Sequence, residues 1–125
     1  MTWRQTHMGG TMRLGARKTI MRRLDCQACA LYGGAPEFDE RHRHRYEVNV
    51  VYVPSMEANG LEFVGRDTTG ERMEVLELAK HPFFLAAQYH PEFKSRPLKP
   101  SPLFYGLVCA SAGVKAEYTP GSQSP

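Results

Sequence analysis

The sequence predicts an α/β fold in a single domain, and three observations predict it. Strand-like runs rich in β-branched and aromatic residues alternate with short helical segments, and glycine and proline punctuate the boundaries. A chain of 125 residues, 42% hydrophobic and 23% charged, has the composition of one globular domain rather than a disordered chain. The order strand, helix, strands, hairpin, apolar strand, helix suits one half of an α/β sheet and is short for a complete one.

The elements follow in order. "GGTMRLGARKTIM" (Gly9 to Met21) alternates and reads as strands, interrupted at Gly15. "RRLDCQACALYGG" carries Leu24, Ala28 and Leu31 at helical spacing, and Gly33-Gly34 ends that short helix. "RHRHRYEVNVVYV" (Arg41 to Val53) is expected to be extended. "PSMEANG" is a helical turn stopped by Gly60. "LEFVGRD" and "RMEVLEL" form a β-hairpin around Thr68-Thr69-Gly70. "FFLAAQY" is apolar on both faces, as for a central strand covered by helices on both sides. "SPLFYGLVCASAG", after Pro100 and Pro102, reads as a closing helix with Leu103, Leu107 and Ala110 on its buried stripe. The domain is expected to span residues 1–113, and residues 114–125 to form a flexible tail.

Charge and cysteine content narrow the function classes. A net charge of +3 is mild and does not by itself argue nucleic-acid binding. Arg4, Arg13, Arg17, Lys18, Arg22 and Arg23 lie in a stretch with no acidic residue, which reads as a solvated face or as an anion site. No apolar window approaches the roughly 20 residues of a membrane span. The N-terminus "MTWRQTHMGG" lacks the apolar core of a secretion signal. Three cysteines, an odd number, argue for a reducing compartment, so the expected location is cytoplasmic, without membrane or nucleic-acid partners.

Three groups of residues could carry chemistry. His90 and Glu92 follow an apolar strand-like run, at the kind of strand end where α/β sheets collect ligands. Pro91 between them stops a sheet ladder, and residues two apart in extended chain point the same way. They can form two members of a nucleophile–His–acid triad, or a histidine that merely caps backbone groups. In "ERHRHRYEVN", Arg41, Arg43 and Arg45 share one strand face and His42, His44 and Tyr46 the other. An arginine there can clamp a substrate carboxylate through both oxygens, or balance Glu37, Asp39 and Glu40. The His42-x-His44 pair could ligate a metal, but no third ligand is evident nearby, and no metal is expected. Cys26-x-x-Cys29 has redox or half-zinc spacing without a second pair, and Cys109 falls on a helix stripe. None of the three sits in a Gly-x-Cys-x-Gly elbow, so no nucleophile is expected in this chain.

"MGGTMRLG", "ERHRHRYEVN", "GERMEVLEL", "HPFF", "QYHPEFKSRP" and "KPSPLFYGL" occur in this order over Met8 to Gly113. Together they resemble the C-terminal part of the class I glutamine amidotransferase domain of the CTP synthase family. That resemblance implies part of a flavodoxin-like α/β sheet with a hairpin and a C-terminal helix. It implies His90 and Glu92 as the His and Glu of a Cys–His–Glu glutaminase triad, and Arg45 as a holder of the glutamine substrate. The whole enzyme would hydrolyse glutamine to ammonia and use it, with ATP and Mg²⁺, to aminate UTP to CTP in a separate synthase domain. GTP would be the activator and a homotetramer the assembly. The resemblance leaves the nucleophile elbow and the synthase domain without counterparts here, so the isolated chain is expected to hold no cofactor and to be inactive. A truncated, non-catalytic binding or regulatory protein is the alternative.

Overall fold

Residues 13–116 are described in a computed structural model. Met8 to Met12 of the first motif, Arg4, and the tail beyond residue 116 lie outside them. The first strand, β1 (Arg13–Met21), pairs antiparallel with β2 (Glu37–His44) from Arg13↔His44 to Ile20↔Glu37. The interruption expected at Gly15 does not occur. Gly15 takes φ +82° inside the ladder and keeps its pairing with His42, so the glycine does not end the strand.

Between these strands lies α1 (Gln27–Leu31), which matches the expected short helix. The Cys26 sulfur caps it by accepting the Cys29 N–H at 3.4 Å, and Gly33 and Gly34 end it at positive φ. The Glu77 carboxylate, from β4 (Met73–Leu78), also accepts the N–H groups of Gln27 and Ala28, at 3.3 and 2.6 Å.

The extended run expected over Arg41 to Val53 is cut short. β2 stops at His44, and Val50–Tyr52 form a 3₁₀ turn leading into α2 (Val53–Ala58). Asn49 caps that turn by accepting the Val51 N–H at 3.1 Å, and Pro54 opens the helix. Local capping, with Val53 buried against Phe63 and Met73, outweighs the strand preference of the valines.

The hairpin forms as expected from β3 (Leu61–Arg66) and β4. Asp67 organises its turn, accepting from the Thr69 hydroxyl at 2.7 Å and from the Arg72 N–H at 3.1 Å. The sheet order is β2-β1-β3-β4-β5, and each of these pairings is antiparallel. The last strand, β5 (Leu85–Ala87), is therefore an edge strand, not the central one expected of "FFLAAQY". Leu85 and Ala87 pack on the core while Phe84 is exposed, so only one face is covered.

The closing helix is α3 (Pro102–Ala112). Its buried stripe is Leu103, Gly106 and Cys109, whereas Leu107 is 52% exposed, which corrects the expected Leu103–Leu107–Ala110 stripe. The cause is a close approach: a methyl on Gly106 would lie 2.6 Å from Leu31, so α3 turns its glycine toward α1. No helix among the described residues is long and apolar enough to cross a membrane.

The sheet curls, and the segment after β5 bonds to β4 and to the far edge strand β2. The Gln88 N–H donates to the Glu74 carbonyl on β4 at 2.8 Å, and the His90 N–H donates to the Arg41 carbonyl on β2 at 2.9 Å. Inside the curl, Met21, Val64, Val75, Tyr89 and the α1 residues form the main core. Gly65 is tightly hemmed there, since an added methyl would lie 2.9 Å from Thr19 and 3.1 Å from the Cβ of Val75. Gly65→Ala should destabilise the chain by about 1–3 kcal/mol, because stiff β-branched neighbours must move. Gly106→Ala should cost less, since only the flexible end of Leu31 and the rim of Phe83 stand in its way. Urea denaturation of both variants checks the order.

Candidate active site

Where β5 ends, Tyr89 points into the core and His90 turns outward. His90 is in extended backbone, at φ −104° and ψ 92°, and immediately precedes a 3₁₀ turn over Pro91–Phe93. The Phe93 N–H closes that turn on the His90 carbonyl at 3.2 Å. The strand thus ends at Ala87 rather than running up to His90, and the turn, not extended chain, brings Glu92 round to the imidazole. His90 Nδ1 lies 2.8 Å from Glu92 Oε2. A carboxylate only accepts, so Nδ1–H donates, and the neutral form of the ring carries its lone pair on Nε2. The Glu92 carboxyl is held below its ordinary range, chiefly by this hydrogen bond. The Phe93 ring stacks on the imidazole, 4.8 Å between centroids and 16° between planes, which fixes its tilt. Both side chains are accessible, at 38% and 53% exposure, so the base can meet a partner from outside.

Behind His90 lies a polar network in the core. The Tyr32 hydroxyl donates to Glu40 Oε2 and lies 3.0 Å from the Tyr89 hydroxyl. Tyr32 stacks face to face on Phe38, with centroids 3.6 Å apart. Burial raises the Glu40 carboxyl above its usual range against that hydrogen bond. The network holds Tyr89, and with it the backbone that presents His90. Of its members the sequence singles out only Glu40, as an acid for the arginines to balance, whereas here it is buried against Tyr32. The one available signal was alternation in "DERHRH", which turns Glu40 and His42 to the same inner face.

That inner face also brings His42 and His44 together, with Nδ1 of the first 3.0 Å from Nε2 of the second. Glu74 reaches the pair from β4, its Oε1 3.9 Å from His42 Nδ1. Burial pushes the Glu74 carboxyl up to about 8 and the His42 imidazole down to about 4.

Arg45 lies exposed in the bend just past β2, not on the strand face with Arg41 and Arg43. Strand β2 meets the His90 backbone at Arg41, four residues earlier in the chain. The basic N-terminal stretch is, where described, partly an ion-paired face. Lys18 pairs with Glu37 and Asp39, Arg22 with Glu57, and Arg23 with Asp25 and Glu62. The three cysteines are free and buried. Burial pushes the Cys26 thiol up to about 11 and raises that of Cys29, the opposite of an activated nucleophile.

Residues 2–110 match the family described as glutamine amidotransferase class-I. Among curated relatives, CTP synthase 1-B of Xenopus laevis is 57% identical over 111 residues, covering 89% of this chain and 19% of that protein. CTP synthase 1 of Homo sapiens is 55% identical over the same length and coverage, and CTP synthase of Dictyostelium discoideum is 57% identical over 112 residues, 86% of this chain and 19% of its own. This chain thus spans about a fifth of the length of these relatives. A solved structure, "Trypanosoma brucei CTPS - glutaminase domain with bound acivicin", superposes with a TM-score of 0.83 at 34% identity, over 87% of this chain and 43% of that one.

Proposed function

The chain belongs to the class I glutamine amidotransferase family, and from that premise we propose that it supplies the acid–base half of the glutaminase site of a CTP synthase. The observation that carries this reading is the 2.8 Å contact between His90 Nδ1 and Glu92, in a segment more than half identical to CTP synthases.

The cysteine nucleophile comes from outside the described residues. His90 Nε2 takes the thiol proton, and the thiolate sulfur bonds to the side-chain carbonyl carbon of glutamine. When the tetrahedral intermediate collapses, the C–N bond breaks and the imidazolium returns the proton to the leaving nitrogen, releasing ammonia. His90 then deprotonates the water that cleaves the thioester, giving glutamate and regenerating the thiol. Glu92 holds the tautomer and steadies the imidazolium. Arg45 binds the glutamine α-carboxylate with its two-pronged guanidinium. In the whole enzyme, ATP with Mg²⁺ would activate UTP and GTP would stimulate; no step assigned to His90, Glu92 or Arg45 runs through these groups. Three buried free cysteines fit a reducing, cytoplasmic setting. The open edge of β5 and the exposed Phe84, Phe104 and Leu107 offer the apolar surface on which the rest of such a domain would pack.

The isolated chain should then release no ammonia from glutamine. Turnover that vanishes on substituting Cys26, Cys29 or Cys109 would overturn the assignment of an outside nucleophile. Arg45 is tested in a full-length enzyme carrying this segment. Arg45→Lys should weaken glutamine use while ammonia-dependent CTP formation survives, because external ammonia bypasses the site. Equal loss of both activities would withdraw the glutamine-binding role.

A further inference from the structure

We propose that His42, His44 and Glu74 form a site for a divalent transition metal of the zinc class, with three protein ligands and one position left for water. The sequence offers only a His-x-His pair; folding supplies the third ligand from β4. One ligating atom from each residue lies within 4.8 Å of the other two. Two separations, 3.0 Å between the imidazole nitrogens and 3.9 Å from His42 Nδ1 to Glu74 Oε1, bracket the spacing an ion would impose. A tetrahedral ion with bonds of about 2.0–2.2 Å keeps its ligands about 3.3 Å apart. Small side-chain adjustments therefore suffice.

Orientation points the same way. His44 Nδ1 donates to the Tyr46 carbonyl at 3.0 Å, which leaves the Nε2 lone pair facing the site. Metal-bound histidines are held in this manner by an outer carbonyl or carboxylate. Glu74 is 4% exposed, and its Oε1 is buried without a hydrogen-bond partner. A carboxylate oxygen so placed calls for a donor or a cation. Two imidazoles and one carboxylate suit zinc better than magnesium or calcium, which prefer all-oxygen shells.

The competing arrangement is a proton shared along the histidine pair, His42 Nδ1–H donating to His44 Nε2. It satisfies those two nitrogens and leaves Glu74 Oε1 unmatched. An ion replaces that proton and engages Oε1 as well. His42 Nε2 has no partner in either state and does not distinguish them. Arg17 acts electrostatically on both His42 and Glu74, but its exposed side chain can withdraw into solvent.

The position of the site gives it a role. Glu74 passes its backbone carbonyl to Gln88, and Arg41, beside His42, passes its own to His90. A bound ion would join β2 to β4 through side chains at the seam that the Gln88–His90 backbone already bridges, and would brace the segment presenting His90. This inference does not depend on the glutaminase reading.

The test uses the chain without a histidine tag, stripped with chelator and titrated with Co²⁺ and then Zn²⁺. One equivalent of Co²⁺ should give the visible absorption of a four-coordinate nitrogen–oxygen site without a thiolate charge-transfer band. Zn²⁺ should displace it and raise Tm. His44→Ala and Glu74→Gln should each weaken binding by about 100-fold or more. The double variant Cys26→Ser/Cys29→Ser and the variant His90→Ala should bind as the parent does. If a ligand variant fails to fold, X-ray absorption of the zinc-loaded parent, showing only nitrogen and oxygen neighbours with two imidazoles, supports the site in its place. Absence of saturable binding, a thiolate band, or binding undiminished by His44→Ala overturns it.

Discussion

His90→Ala, placed in a full-length enzyme carrying this segment, should lower glutamine-dependent CTP formation by roughly 10²–10⁴-fold, the usual contribution of a positioned acid–base group. Ammonia-dependent CTP formation should persist near the parent level. The histidine side chain is 38% exposed and is stacked on Phe93, so its loss removes a proton carrier without unfolding the curl. Glu92→Gln should cost less. An amide oxygen can still accept from Nδ1–H and keep Nε2 free, and only the charge that steadies the imidazolium is lost. Paired assays with glutamine and with ammonia measure both variants. If His90→Ala cut the two activities equally, His90 would be a structural cap and the triad assignment would fall.

In chelator, the chain should lose about 2 kcal/mol of stability between pH 6.5 and pH 8, and Glu74→Gln should abolish that loss. The sign follows from which state holds the protons. The Glu74 carboxyl ionises near 4.5 when unfolded and at about 8 when folded. Across that window the folded chain keeps a proton that the unfolded chain has released, so stability falls as pH rises. The His42 imidazole titrates near 6.5 unfolded and at about 4 folded. Across its window the unfolded chain holds the extra proton, so stability rises with pH. The two slopes oppose between pH 4.5 and 6.5, and only the Glu74 slope remains above. At about 1.36 kcal/mol per unit, that leaves about 2 kcal/mol. Urea unfolding of parent and variant across this range isolates Glu74, because every other group titrates in both. Superimposable pH profiles would show that the carboxyl ionises as freely in the fold as outside it.

Near-neighbour chemistry made much of the protein legible in its sequence. Gly33-Gly34 ends α1, Asp67 to Gly70 turns the hairpin, and Pro102 opens α3, each through residues that act within one turn of chain. The closeness of His90 and Glu92 belongs to the same class, although a 3₁₀ turn and not an extended strand achieves it. Tertiary structure decided whatever depends on partners far along the chain. An apolar run such as "FFLAAQY" reads alike in the centre of a sheet and at its edge, and only the strand order placed β5 at the edge. The valines after Asn49 suit a strand, but burial of Val53 against Phe63 and Met73 drew them into helix. Glu74 reached His42, and Tyr32 reached Glu40 and Tyr89, because the sheet curls until β4 and β2 share the Gln88–His90 segment. Periodicity along a chain records which side of an element is buried. It carries no record of which distant side chain will be buried opposite.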